Sequence, residues 1–274
     1  MEISITCNSK EERAKETWKL FAEEFPDLFN TVPSNWAENN YLSEQGMRAI
    51  NDYYQKRKEY YHANTPLMLY NLYSHEDETF RKSAHHLFEK VDSFCKKFIA
   101  ATYNGAQKVI EPFWTDLDSG FWSVVSEVFL IDFLESKQNL KIIRFGEKIP
   151  NSNTDADILA EFYSSGKAIK TYIEVRNQEI PHKILTDVNR LRKAINLRSD
   201  QFFNQKHFCN IPNDCMGVIA MLFKIWDNDI MFDYFSNAGK IKYKNSNNVE
   251  NIYSTSYVFR INPTTHEFFI IGGK

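Results

Sequence analysis

Residues 155 to 177 read DADILAEFYSSGKAIKTYIEVRN, and no other stretch leaves this chain so little freedom in how it folds. Apolar and polar residues alternate on both sides of Ser165-Gly166, the pattern of two antiparallel strands joined by a tight turn. A two-residue loop pairs Ser164 with Lys167, and a four-residue loop pairs Tyr163 with Ala168; both give one register. In that register Ile158 faces Ile173, Ala160 faces Thr171 and Phe162 faces Ile169, which makes one face apolar. On the other face Leu159 meets Tyr172, and Glu161 meets Lys170 as an opposite-charge pair. One position breaks the consistency, because Asp157 falls opposite Glu174. Facing acids across an antiparallel pair repel, with Cβ atoms about 5 Å apart. A cation between them would relieve the repulsion. The same register sets Asp155 opposite Arg176, so the cluster also reads as a surface charge network in which Arg176 offsets the acids.

The residues before this hairpin follow a different period. Residues 9 to about 113 read as helical, starting from Ser9-Lys-Glu-Glu12, a capping box that opens a helix running to about Glu24. A second helix is expected from Ser43 to about His62. A third runs from about Glu76 to Tyr103, with Phe80, Ala84, Leu87, Val91, Phe94, Phe98 and Ile99 at helical spacing. His85 and His86 within it read as packing or surface histidines. Residues 118 to 137 form a nearly all-apolar helix whose composition predicts burial. Then come a short strand (141 to 145), the hairpin, a basic helix from about Pro181 to Lys206, and a β-rich run from Met216. The strand-like segments STSYVFRI and HEFFIIGG follow as edge strands. This order predicts an α/β (α+β) chain: a helical N-terminal region, 1–113, and a mixed sheet flanked by helices, 114–274.

Composition narrows the class. Charged residues at 25% and hydrophobic residues at 43% are ordinary for a globular protein. The N-terminus lacks an apolar signal-like region and no long apolar run occurs, so neither a signal peptide nor a membrane span is expected. Scattered Cys7, Cys95, Cys209 and Cys215 read as reduced thiols of a cytoplasmic protein. With a net charge of −3 there is no global basic field, so any nucleic-acid contact must come from a local patch.

Three features outside the facing acids bear on function. Glu127 lies on the apolar helix beside Ser123, Leu130, Ile131 and Leu134, where a carboxylate must meet a cation, find a donor or reach out to solvent. Strand alternation puts Arg176 on the same face as Glu174. Between Pro181 and Asn210 stand Lys183, Arg190, Arg192, Lys193, Arg198 and Lys206 against Asp187 and Asp200, six cations to two anions. Such a helix is either a solvated face or a grip for a polyanion.

Glu127, then Asp157, a sixteen-residue spacer (158–173) and Glu174-Val175-Arg176 resemble the motif of the PD-(D/E)XK nuclease superfamily. The resemblance spans residues 118 to about 226 and implies a restriction-endonuclease-like core. It implies that Asp157, Glu174 and Glu127 hold Mg²⁺ (or Mn²⁺) and that Arg176 stands where the motif has lysine. The function so implied is metal-dependent hydrolysis of nucleic acid, as a double-stranded-DNA endonuclease of restriction or defence type. Lys183, Arg190, Arg192, Lys193 and Arg198 would bind the nucleic acid, and the N-terminal helices would serve recognition or homodimer formation. Arginine keeps the charge and grips phosphate bidentately, but it is bulkier than lysine and does not give up a proton. The alternative is a catalytically inactive nuclease-fold protein that binds nucleic acid or a protein partner, with Arg176 neutralising the acids.

Overall fold

The computed structural model describes residues 9–56, 64–76, 78–116, 120–150, 152–164, 166–178, 193, 197, 201, 211–212, 214–224, 254–261 and 268–272. The chain divides into two compact units, 1–129 and 130–274.

The first unit is helical. Helix α1 (Lys10–Glu24) starts at Ser9, whose hydroxyl accepts from the Glu12 N–H while the Glu12 carboxylate accepts from the Ser9 N–H, the expected capping box. Helices α2 (Pro26–Phe29), α3 (Glu44–Lys56), α4 (Thr65–Ser74), α5 (Glu78–Phe94) and α6 (Ala106–Thr115) follow, and α7 (Gly120–Glu135) begins in this unit and runs past its last residue, Phe129. The expected single helix from 76 to 103 is α5 continued by a π-helical turn, Cys95–Ile99. Its stripe is largely as read, with Ala84, Leu87, Val91, Phe94 and Phe98 buried, and Phe88 joins it as a wholly buried ring. Helix α4 is apolar on all sides and buried from Thr65 to Tyr73, as such a composition requires.

The unit is centred on aromatic side chains. Phe88 lies against Phe21, Phe25, Phe113 and Phe121, with ring centroids 5.6 to 5.9 Å apart. Helix α6 ends among these rings, and its last carbonyls need donors that the helix cannot supply. The Thr65 hydroxyl donates to the Phe113 carbonyl at 2.7 Å, and the Trp36 indole donates to that of Trp114 at 2.6 Å. These contacts place the division beyond the expected boundary at 113/114. Pro112 lies inside α6, and Phe121 of α7 joins the rings of Phe88 and Phe113.

The second unit is built on a six-stranded mixed sheet in the order β1 to β6: Leu140–Lys148, Asp155–Ser164, Lys167–Gln178, Cys215–Lys224, Ser254–Ile261 and Phe268–Gly272. The pairs β1·β2, β2·β3 and β5·β6 are antiparallel, whereas β3·β4 and β4·β5 are parallel. The chain is thus mixed α/β with a helical N-terminal region. The hairpin register is the expected one from Ser164↔Lys167 to Ile158↔Ile173, with the two-residue loop chosen. Gly166 sits in that loop at φ +78°, where a side chain would be strained.

Ile158, Ala160, Thr171 and Ile173 are buried on the face read as apolar. Leu159 and Tyr172, on the opposite face, are buried as well. A central strand with a parallel neighbour is covered on both sides, so the hairpin is not a one-sided amphipathic ribbon. Toward the turn burial fades, and Tyr163 is exposed. The Glu161 carboxylate there accepts from the Tyr163 hydroxyl at 2.8 Å, and the Lys170 ammonium lies 5.9 Å from the centre of the Tyr172 ring.

Candidate functional site

The hairpin ladder ends at Ile158↔Ile173. Beyond it β2 stays paired with β1, through Glu147↔Ala156 and Lys148↔Asp155. Strand β3 stays paired with β4, from Glu174↔Ile219 to Gln178↔Phe223. Each strand keeps its outer neighbour and loses its inner one. The expected direct pairs Asp157 with Glu174 and Asp155 with Arg176 are therefore not formed, and the two strands part at this point. The separation relieves the like-charge contact that an unbroken ladder would impose.

Parting leaves backbone donors on the inner edges, and buried donors must be met. Asp157 meets one of them, its Oδ2 accepting the Val175 N–H at 2.7 Å. The carboxylate thus bridges the fork and is tethered next to Glu174. Glu174 is wholly buried, and its Oε1 lies 2.5 Å from Nη2 of Arg176. The Arg176 side chain is 36% exposed against 1% for that of Glu174. Tyr172 precedes them on the same face, and burial pushes its phenol up from the ordinary value. The fork therefore holds a fixed carboxylate, a buried carboxylate and a half-exposed guanidinium within three strand positions.

The other expected site residues fall into two groups. Glu127 is half-buried on α7 within the first unit, while Leu130, Ile131 and Leu134 of the same helix are buried, as its apolar surroundings predicted. Lys183, Arg190, Arg192 and Arg198 lie outside the described residues, as does Lys206. Lys193 is helical and exposed, and so are Leu197 and Gln201 one and two turns on.

Among the described residues no group of three or more His, Cys, Asp or Glu side chains is gathered for a metal ion. The fork supplies two carboxylates and no thiolate or imidazole. That donor set suits a hard cation such as Mg²⁺ or Mn²⁺, which takes one or two protein carboxylates and draws its other ligands from water and substrate phosphate. It does not suit structural zinc. The residues fit on donor chemistry, with Arg176 already standing on one of the two carboxylates. Among the described residues no helix is long and apolar enough to cross a membrane.

Asp157, Glu174 and Arg176, named from the sequence, stand where the strands part, and the Val175 N–H was not foreseen. A signal was present, since a β-rich run after a crossover predicts a parallel neighbour that holds β3 while β2 leaves it. Comparison of the chain with protein-family models, with curated proteins and with solved structures finds no match.

Proposed function

We propose that this chain hydrolyses phosphodiester bonds in nucleic acid, with Mg²⁺ or Mn²⁺ held by Asp157 and Glu174. In the finer reading it is a DNA endonuclease of restriction or defence type on a restriction-endonuclease-like core. The observation that carries the proposal is the fork. Two strands that pair without fault elsewhere part where their acids would meet, and they leave one carboxylate tethered across the gap and the other buried beside a guanidinium. A purely structural sheet gains nothing from a buried charge there, because well-packed apolar residues are as stable or more so.

Each side chain has a task in the reaction. Asp157 is preorganised by the Val175 N–H, which sets the direction of its remaining lone pairs. Glu174 presents its charge from an environment poor in water, where electrostatic interactions are strong. Arg176, half-exposed, can turn to a phosphate oxygen and stabilise charge that develops during attack. A bound divalent cation supplies Lewis-acid polarisation of the phosphate and a water of lowered pKa. The cationic stretch 183–206 would grip the flanking backbone, an attraction that weakens with salt.

Incubation with supercoiled plasmid and Mg²⁺ or Mn²⁺ tests the reading. Nicked or linear product is expected from wild type, with none after EDTA and at least a hundredfold less from Glu174→Gln or Asp157→Asn. Equal cleavage by these variants would remove the fork from the chemistry. The Arg176–Glu174 pair favours a second reading, a non-catalytic nucleic-acid binder whose acids are neutralised internally. That protein would shift plasmid or oligonucleotide in a gel equally well with EDTA and would gain no thermal stability from divalent cations.

A further inference from the structure

We infer that Arg176 is a latch on the metal position: its guanidinium occupies Glu174 in the cation-free protein and must leave before a divalent ion can bind. The inference rests on the assignment of Asp157 and Glu174 as metal ligands, and it concerns how that site is regulated.

Four observations lead to it. The Glu174 carboxylate is wholly buried, and a buried charge persists only when something compensates it. Arg176 supplies that charge from two residues along the same strand face, Nη2 to Oε1 at 2.5 Å. A guanidinium stays protonated at every physiological pH, so its own deprotonation does not release it; a cation competing for Glu174 or an anion competing for Arg176 does. The Arg176 side chain is 36% exposed although its Nε is buried, so its head lies at the border of solvent and can swing toward it or toward a phosphate.

Asp157 differs in this respect. It is held through Oδ2 by a backbone N–H, a neutral donor that carries no charge to compete with a cation. One ligand is thus permanently set and the other is covered. The arrangement keeps metal affinity low in the free protein. It also couples metal entry to a polyanion, since a phosphate that draws Arg176 outward uncovers Glu174 in the same movement. By linkage, whatever pulls Arg176 away must tighten metal binding by the same factor that metal tightens its own binding.

Calorimetric titration of the full chain with MgCl₂ tests the latch. Arg176→Met is expected to bind Mg²⁺ at least tenfold more tightly than wild type. Without metal it should melt several degrees lower, and saturating Mg²⁺ should restore most of the difference. Glu174→Gln in either background should abolish the heat of binding. Equal or weaker binding by Arg176→Met, with wild type still binding through Glu174, would overturn the latch and leave the metal site standing. Absence of Mg²⁺ binding in both proteins would overturn the latch and the metal assignment together.

Should Arg176→Met fail to fold, wild type itself decides through the side-chain Nε–Hε signal of Arg176 in a ¹⁵N-correlated spectrum. Titration with Mg²⁺ should move that signal to the position and fast water exchange of a free guanidinium. A signal unmoved at saturating metal would overturn the inference.

Discussion

At the scale of single residues, Asp157 combines two roles that substitution can separate: an acceptor for the Val175 N–H and a negative charge. Asparagine keeps an acceptor and removes the charge, whereas alanine removes both. Asp157→Asn is therefore expected to unfold in urea within about 1 kcal/mol of wild type while losing any stabilisation by Mg²⁺. Asp157→Ala should lose about 1.5–3 kcal/mol, the worth of a hydrogen bond to a charged group. Equal losses for the two variants would mean that the charge, and not the bridge across the fork, holds the strands. The identities of these residues were legible in the sequence because strand alternation alone puts Glu174 and Arg176 on one face. Their unequal exposure was not. Whether an acid is sealed or solvated depends on what covers the sheet, and the spacing of residues along one strand carries no such information.

At the scale of elements, the register of the hairpin could be read in advance because a period of two admits only one pairing that keeps both faces consistent. The end of that pairing could not. It is set by competition from β1 and β4, which hold the outer edges of the two strands. The capping box of α1 was legible for a similar reason, being a local pattern that long-range contacts rarely override. Helix α2 shows the opposite case. Its Leu28 N–H is capped by Asp92 Oδ1 at 2.8 Å, from α5 far along the chain. Burial pushes the Asp92 carboxyl up from its ordinary value, and the hydrogen bond from Leu28 pulls it the other way. An acid whose folded-state pKa is raised binds its proton more tightly in the folded chain. Its contribution therefore supports the fold at low pH and fades as pH rises past the ordinary aspartate range. Asp92→Asn keeps an acceptor for Leu28 and has no such fade. Urea melts from about pH 3 to about pH 7 should show its stability rising relative to wild type across that interval. Asp92→Ala should cost about 1–2 kcal/mol through the lost cap. A difference between Asp92→Asn and wild type that is flat with pH would show that the carboxyl is not perturbed.

At the scale of the whole molecule, the ring cluster of the first unit specifies where the chain can be cut. A fragment ending at Pro112 lacks Phe113, Trp114 and Phe121, which pack on Phe88, Phe21 and Trp36. Loss of one such ring costs about 3–5 kcal/mol, so three together exceed the stability of most units this size. Residues 1–112 are expected to show no cooperative thermal transition by circular dichroism, and residues 1–136, which keep α6 and α7 entire, to show one. A cooperative melt for the shorter fragment would mean that the rings beyond Pro112 are dispensable. The second unit depends instead on a length. Gly166 closes the hairpin at φ +78°, with open space around the place of a Cβ, so Gly166→Ala should cost only about 1–2 kcal/mol of backbone strain. Removing one residue between Ser164 and Lys167 is a different kind of change. A slip of one position turns every side chain of β3 over, and Ile173 or Val175 would take the place of Glu174 at the fork. The turn is in this sense a gauge. It touches neither carboxylate, yet its span decides which residue arrives at the charged end of the sheet, and a chain could exchange a buried acid for a hydrocarbon there without altering a single letter of the site.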